Sequence, residues 1–208
     1  MDIWNLVINA LVALGTLGAV VVALFGEWFT ARWFSPKFQI DILKPGGEPC
    51  PITDAAGNHI NDGRYYHLKV RNKRVWPPAT HSQLRLIRVE TRGPNDQLQI
   101  TWDGDIPIRR RHQEFYPTEA EIGSAVDYDL CAIVRSPAPV LSLMPIVPAN
   151  NLPTQWTGNS HFVCSFQPKC SQRDSEVVRI QFDWDGTWHD GDAEIQKHFH
   201  IQPVTSSN

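Results

Sequence analysis

The side chains best suited to chemistry lie close together near the C-terminus, in residues 183–192. This run reads Asp-Trp-Asp-Gly-Thr-Trp-His-Asp-Gly-Asp. Oxygen ligands on a tight loop suit a hard cation such as calcium, and Asp183, Asp185 and His189 are the candidate ligands. An EF-hand loop needs glycine at its sixth position, but the sixth residue from Asp183 is Trp188. Because Asp-Gly is also a favoured hairpin turn, we interpret the run as an acidic turn and predict no metal or other cofactor.

Two further histidines have the spacing of a zinc site. His198 and His200 lie two residues apart, as ligands on one strand do in many β-proteins. Phe199 and Ile201 are apolar and are expected to face inward, which turns both imidazoles towards solvent. The sequence contains no GxSxG turn for a nucleophile and no glycine-rich phosphate loop followed by a helix. We therefore predict no catalytic residue and do not expect an enzyme.

Two features favour contact with a partner. Arg109, Arg110 and Arg111 form the densest basic run, which is typical of a solvated loop and also suits anionic lipid headgroups. Trp76 precedes two prolines, and an exposed loop aromatic is a common anchor for a protein partner; the alternative is that it covers one end of the fold. The formal net charge of −3 argues against a nucleic-acid surface.

The N-terminal segment predicts a membrane anchor. Residues 3–25 carry no charge, and a helix of that length spans roughly 34 Å at about 1.5 Å per residue. This is enough for a hydrocarbon core of about 30 Å. Residues 1–35 are therefore predicted to form a transmembrane helix with interfacial aromatic residues, rather than a cleaved signal or a buried core helix. The anchor residues are Trp4, Leu11, Gly15, Ala19, Val22, Trp28 and Trp33.

The flanks of this segment indicate its orientation. The basic residues nearest the span, Arg32 and Lys37, both follow it. The positive-inside tendency then puts the N-terminus outside and the domain in the cytoplasm, with a periplasmic domain as the alternative. Gly15 and Ala19 lie four residues apart and would let a second copy approach closely, which leaves homo-oligomerisation through the helix open.

Cysteine usage bears on the same question. The four cysteines form no CxxC pair and show no zinc-like spacing. In a reducing cytoplasm we expect four free thiols, whereas an oxidising compartment would allow two disulfides. The cysteines are Cys50, Cys131, Cys164 and Cys170.

Beyond the anchor, apolar residues alternate with polar ones. In residues 178–184 every second side chain is apolar, the signature of a strand with one buried face. Seven other segments are interpreted as strands: 38–43, 66–71, 84–89, 98–102, 126–134, 162–166 and 195–201. The proline-rich tract at 136–153 is expected to be a long loop. Short strands with regular turns predict an antiparallel β-sandwich of about eight strands over residues 36–204, followed by a disordered tail at 205–208.

One part of this pattern resembles a known family. Residues 66–74, Tyr-His-Leu-Lys-Val-Arg-Asn-Lys-Arg, are followed by Pro78-Ala79 and by the next strand, Leu84-Arg85-Leu86. This order resembles bacterial immunoglobulin-like domains, and with the anchor and residues 182–188 the chain is similar to bacterial single-pass membrane-anchored proteins. The resemblance implies an immunoglobulin-like β-sandwich at the bacterial inner membrane. It implies no catalytic residues and, without the Cys, Trp, Cys arrangement of antibody domains, no core disulfide.

Together these features predict a membrane-tethered, non-enzymatic interaction or sensor module. It would bind a protein partner or ligand beside the lipid bilayer, where a tether raises the effective concentration. One alternative is a periplasmic metal-dependent hydrolase or carbohydrate-binding sandwich that uses Asp183, Asp185 and His189. The other is a structural subunit of a membrane complex.

Overall fold

A computed structural model describes residues 3–33, 35–74, 78–93, 95–111, 120–122, 125–147, 149–171 and 174–204. The chain divides into two compact units, Met1–Ser35 and Pro36–Asn208.

The first unit is a single helix, α1 (Ile3–Trp33). Its Ile3–Gly26 portion is long and apolar enough to cross a membrane, judged by length and composition, and none of its most apolar window is buried. Thr16 donates its hydroxyl proton to the carbonyl oxygen of Val12 at 2.8 Å. Such back-bonding satisfies a hydroxyl within its own helix, as an apolar surrounding requires.

The second unit contains two six-stranded sheets and one short helix in its described residues. The first sheet contains β1 (Phe38–Ile42), β2 (Glu48–Thr53), β3 (His59–Asn72), β7 (Ala125–Val134), β8 (Val140–Leu143) and β9 (Gln155–Thr157). The second contains β4 (Ala79–Arg92), β5 (Leu98–Pro107), β6 (Ala120–Ile122), β10 (Ser160–Lys169), β11 (Val178–Trp184) and β12 (Phe199–Pro203). Helix α2 (Asp192–His198) connects β11 to β12.

All strand pairings are antiparallel. The first sheet has the order β1-β3-β7-β8-β9, and the second β12-β11-β10-β4-β5, with β6 on β4. Along the side away from β7, strand β3 is long enough to pair with two partners: β1 pairs with its residues 68–72 and β2 with its residues 59–65. One edge of the first sheet is therefore made of two short strands with a turn between them.

The core lies between the sheets and contains a column of aromatic rings. Trp156 on β9 stacks on Phe162 of β10 at 4.0 Å between ring centroids, and Phe162 stacks on Phe182 of β11 at 4.6 Å. Phe182 lies 6.3 Å from Phe199 of β12, which meets the edge of Tyr66 on β3 at 4.7 Å. The column starts and ends on the first sheet and crosses three strands of the second, so it joins the two layers.

The predicted fold class is confirmed, since the second unit is mainly β and its two antiparallel sheets form a sandwich-like arrangement. Each of the eight segments interpreted as strands overlaps an observed strand. The described residues add β2, β6, β8 and β9. Pro49 and Pro51 interrupt the apolar alternation of β2, and the other three strands have only three or four residues.

Two local expectations are wrong. The proline-rich tract 136–153 is not one loop, because it contains β8, whose burial alternates along Val140–Leu143. Residues 195–201 are not one strand, because the first four belong to α2. Asp192 and Glu194 lie in the first turn of that helix, where negative charge favours helix formation.

Candidate functional site

Four polar side chains form a row across the outer face of the second sheet. Strand pairing places His161 of β10 opposite Asp183 of β11, and Asp183 opposite His200 of β12. Arg92 of β4 extends the row, with its Nη2 atom 3.3 Å from Nε2 of His161. Side chains alternate between the two faces of a strand. The neighbouring Phe162, Phe182 and Phe199 are buried, so the row lies directly over the aromatic column.

The hydrogen bonds around His161 fix its tautomer. Nδ1 of His161 is hydrogen bonded to Oδ1 of Asp183, whose Oδ2 accepts a hydrogen bond from Gln181 Nε2 at 2.6 Å. A guanidinium group can only donate, so Nε2 of His161 must accept from Arg92. In this arrangement the Nδ1–H of His161 is directed at Asp183.

A second histidine is held by a second carboxylate. Nδ1 of His198 lies 2.6 Å from Oδ2 of Asp185, while Oδ1 of Asp185 accepts the Thr187 backbone N–H at 2.8 Å. Burial raises the pKa of Asp185, but the bonds to His198 and Thr187 outweigh it and hold this pKa below its ordinary value of 3.8. The ring of His189 stacks on His198 with 4.7 Å between centroids.

The turn that carries Asp185 depends on a glycine. Gly186 has φ of +87°, and a Cβ atom built on it would lie 2.7 Å from Cα of Gly158. Only glycine accepts both the conformation and the contact. This close approach brings the turn after β11 against the turn before β10, which contains Gly158 and Asn159.

These groups surround an open cavity of about 470 Å³, which we call the histidine cleft. It is lined by residues 92–93, 159–161, 183–185, 197, 198 and 200. Its volume is in the range of small-ligand sites. Two lining side chains are basic: Arg92, which pairs with Asp96 at 3.0 Å, and Lys197, which pairs with Glu194 at 2.8 Å.

The candidate ligands in the acidic run are partly brought together. Asp183 and Asp185 both line the histidine cleft, but His189 does not. Asp183 faces His161 and Asp185 faces His198, so neither histidine that approaches these carboxylates is the predicted one. Within the described ranges, no group of three or more His, Cys, Asp or Glu side chains is arranged to hold a metal ion.

The basic run makes ion pairs within its own chain. Nε of Arg109 donates to Asp129 at 3.0 Å, and Nη2 of Arg111 donates to Glu48 at 2.6 Å. Between these carboxylates lies buried His67, with Nδ1 3.1 Å from Asp129 and Nε2 3.8 Å from Glu48. Burial raises the pKa of Asp129, but His67 and Arg109 outweigh it, so this pKa lies below the usual 3.8. Contact of this run with a partner stays a prediction.

The other sequence candidates fall in three places. Arg110 forms a backbone bridge with Tyr128, and Trp76 lies outside the described residues. The anchor candidates Trp4, Leu11, Gly15, Ala19, Val22, Trp28 and Trp33 all belong to α1. All four cysteines are free thiols, with Cys50 exposed and Cys131 and Cys164 buried.

Sequence reasoning missed the arginine that fixes the loop beside the cleft. Arg64 of β3 is 1% exposed, and its guanidinium donates to the carbonyl oxygens of Gly46 (2.7 Å), His189 (3.1 Å) and Asp190. It also donates to Oδ1 of Asp192 at 2.7 Å. Nothing local predicts these partners, which are mostly more than 120 residues away.

His161 and Arg92 were also missed, although a signal for His161 exists. The apolar residues 162, 164 and 166 alternate inward, which turns residue 161 outward, towards the same face as Asp183.

Comparisons with known protein families, with curated proteins and with solved structures find no match to this chain.

Proposed function

We propose that this chain is a membrane-tethered, non-enzymatic recognition module. In this proposal α1 anchors the chain in a bilayer, and the histidine cleft of the β-sandwich binds a ligand beside the membrane. The apolar Ile3–Gly26 segment supports the anchor. A domain on a short tether samples a thin layer near the bilayer, so a membrane-associated ligand meets it at high effective concentration.

The observation that carries the binding proposal is the orientation of the cleft side chains. His161 and His198 are each fixed through Nδ1 by a carboxylate, and the row that contains His161 lies over the aromatic column. Side chains that are already oriented lose little conformational entropy when a ligand binds. Such a site suits recognition.

We also propose that the sandwich is immunoglobulin-like. Immunoglobulin domains place strands A, B and E in one sheet and G, F, C and C′ in the other. Strands β1, β3 and β7 have the first order, and β11, β10, β4 and β5 have the second. This order supports the proposal because the chain visits the strands in the same sequence. One departure is that β8 and β9, which follow β7 in the chain, occupy the place of strand D beside strand E.

A bacterial inner-membrane location with the N-terminus outside belongs to the same proposal, and Cys50 offers a direct test. In a Cys170→Ser variant Cys50 is the one exposed thiol, since Cys131 and Cys164 are buried. We expect a membrane-impermeant maleimide to label Cys50 only after spheroplasts are lysed. Labelling without lysis would place the domain in the periplasm, and extraction of the chain by alkaline carbonate would refute the tether.

Ligand binding in the cleft can be tested by a substitution that places a large side chain in it. Asn159 lines the cleft and is exposed, whereas Thr157, two residues earlier, is exposed and lies outside it. Against a panel of small ligands, we expect at least one chemical class to raise the melting temperature of the wild type and of Thr157→Trp, but not of Asn159→Trp. A panel in which no class behaves this way would refute binding in the cleft.

A hydrolase is the second candidate function. His161 and His198 each place Nδ1 on a carboxylate, as a general base does in hydrolytic triads. Ser160 donates its hydroxyl proton to the Gly158 carbonyl at 3.1 Å, so its hydroxyl proton is not directed at an imidazole. Hydrolysis of an ester or phosphoester panel that is lost in His198→Gln and kept in His59→Gln would favour this candidate, because His59 forms its own Asp pair elsewhere.

A further inference from the structure

We propose that the histidine cleft binds a phosphate group, as a soluble phosphate monoester or as the headgroup of a lipid. This inference rests on the proposed function and names the chemistry of its ligand. It concerns which groups of the cleft are available to a ligand and which are already engaged within the chain.

The negative charges of the cleft are engaged by the protein. Asp183 accepts hydrogen bonds from His161 and Gln181, and Asp185 from His198 and the Thr187 N–H. Donors of the chain thus occupy both oxygens of each carboxylate. A ligand entering the cleft meets imidazole edges and cationic side chains rather than unpaired carboxylates.

The two cationic side chains of the cleft are bound less firmly by their partners than the two carboxylates are. Arg92 pairs with Asp96, whose side chain is 77% exposed, and Lys197 pairs with Glu194, whose side chain is 52% exposed. Exposed ion pairs contribute little because water and salt compete with them. A phosphate can therefore replace both partners, and a planar guanidinium matches its oxygens with two parallel hydrogen bonds.

The shape and lining of the cleft narrow the ligand further. Its volume of about 470 Å³ exceeds that of a phosphate, which leaves room for the group that carries the ester. Within the described lining, Trp184 is the one Phe, Tyr or Trp, and it is 2% exposed. The cleft therefore offers no indole or phenyl platform for a sugar or base, which favours an anion over a neutral carbohydrate.

The chain supplies a matched control for Arg92. Arg88 and Arg92 lie on β4, their side chains are 44% and 46% exposed, and each pairs with an exposed aspartate. Only Arg92 lines the cleft. Since both are exposed, Arg88→Gln and Arg92→Gln are expected to fold equally well.

The test is titration calorimetry of the full chain in a non-ionic detergent, with inorganic phosphate and glycerol 3-phosphate as probes. We expect saturable binding that weakens at least about tenfold in Arg92→Gln, weakens also in Lys197→Gln, and changes less than about twofold in Arg88→Gln. Equal losses in Arg92→Gln and Arg88→Gln would mean diffuse charge attraction and would overturn the inference.

The lipid source is tested in nanodiscs. If the ligand is a headgroup, phosphatidic acid in a phosphatidylcholine disc raises the melting temperature of the wild type but not of Arg92→Gln, and glycerol 3-phosphate adds nothing to it. If the ligand is soluble, glycerol 3-phosphate raises the melting temperature by the same amount in discs with and without phosphatidic acid. If phosphate does not bind but another ligand class stabilises the wild type and not Asn159→Trp, the phosphate inference is overturned and the proposed function is kept. Absence of any such class overturns the proposed function as well.

Discussion

Replacing Arg64 with methionine should strongly destabilise the β-sandwich. Methionine has a similar length but no hydrogen-bond donor, so the carbonyl oxygens of Gly46, His189 and Asp190 and the carboxylate of Asp192 would all lose the guanidinium. Besides lowering the stability of the whole domain, the substitution would affect one loop in particular. The loop that carries His189 would lose its main attachment to β3.

The magnitude follows from the burial of the group. Hydrogen bonds to charged groups contribute about 1.5–3 kcal/mol each, but the four bonds of Arg64 are not additive because water replaces part of what is lost. Asp192 is 47% exposed and can be solvated. The cost therefore comes mainly from the three carbonyl oxygens that lose their donor, at about 1–3 kcal/mol for each unsatisfied buried group. We expect Arg64→Met to cost about 3–5 kcal/mol in total.

The measurement is urea unfolding of the full chain in non-ionic detergent, followed by tryptophan fluorescence. Arg71→Met is the control, because Arg71 lies on the same strand and donates twice to Asp41, but its side chain is 52% exposed. An exposed pair contributes about 0–1 kcal/mol. A loss for Arg64→Met no larger than that for Arg71→Met would refute the reasoning.

Three further predictions concern single residues. Because the pKa of Asp129 is lowered on folding, its charge stabilises the folded state above the unfolded pKa, and this stability is lost as pH falls through the folded pKa. The difference in unfolding free energy between the wild type and Asp129→Asn should be constant above about pH 5 and shrink below about pH 4; a difference unchanged at about pH 2 would contradict this. The Tyr66 hydroxyl is buried without a hydrogen-bond partner among the described groups, so Tyr66→Phe should raise the unfolding free energy by about 1 kcal/mol, and a loss in the same urea experiment would show that the hydroxyl is satisfied. Gly186→Ala should cost about 1–3 kcal/mol and exceed the cost of Gly57→Ala, because Gly57 has a similar φ of +85° but nothing within 4 Å of its added Cβ; equal melting temperatures would remove the contact with Gly158 from the explanation.

The elements that sequence predicts well are those whose pattern is local. Strand β11 begins and ends where the alternation of residues 178–184 does, since one buried face imposes a period of two. The same reasoning fails at residues 195–198, where Ile195 is the one buried residue of a two-turn helix. A single apolar position does not distinguish the period of a strand from that of a helix.

The site was less predictable because its contacts depend on strand register. The acidic run drew attention to Asp183 and Asp185, but their partners, His161 and His198, are fixed by the pairing of β10 with β11 and by the return of the chain through α2. A shift of one residue in that register would have turned His161 towards the core. Composition and spacing carry no information about such a choice.

The edge formed by β1 and β2 affects how copies of the chain could associate through their sheets. An uninterrupted edge strand is a template on which a neighbouring molecule can add its own strand. Here that edge consists of two strands of five and six residues, and β2 carries Pro49 and Pro51, which have no N–H to offer. This edge therefore offers a neighbouring copy little continuous backbone to pair with. The proposed membrane tether would confine copies to two dimensions, where such protection matters more than in free solution.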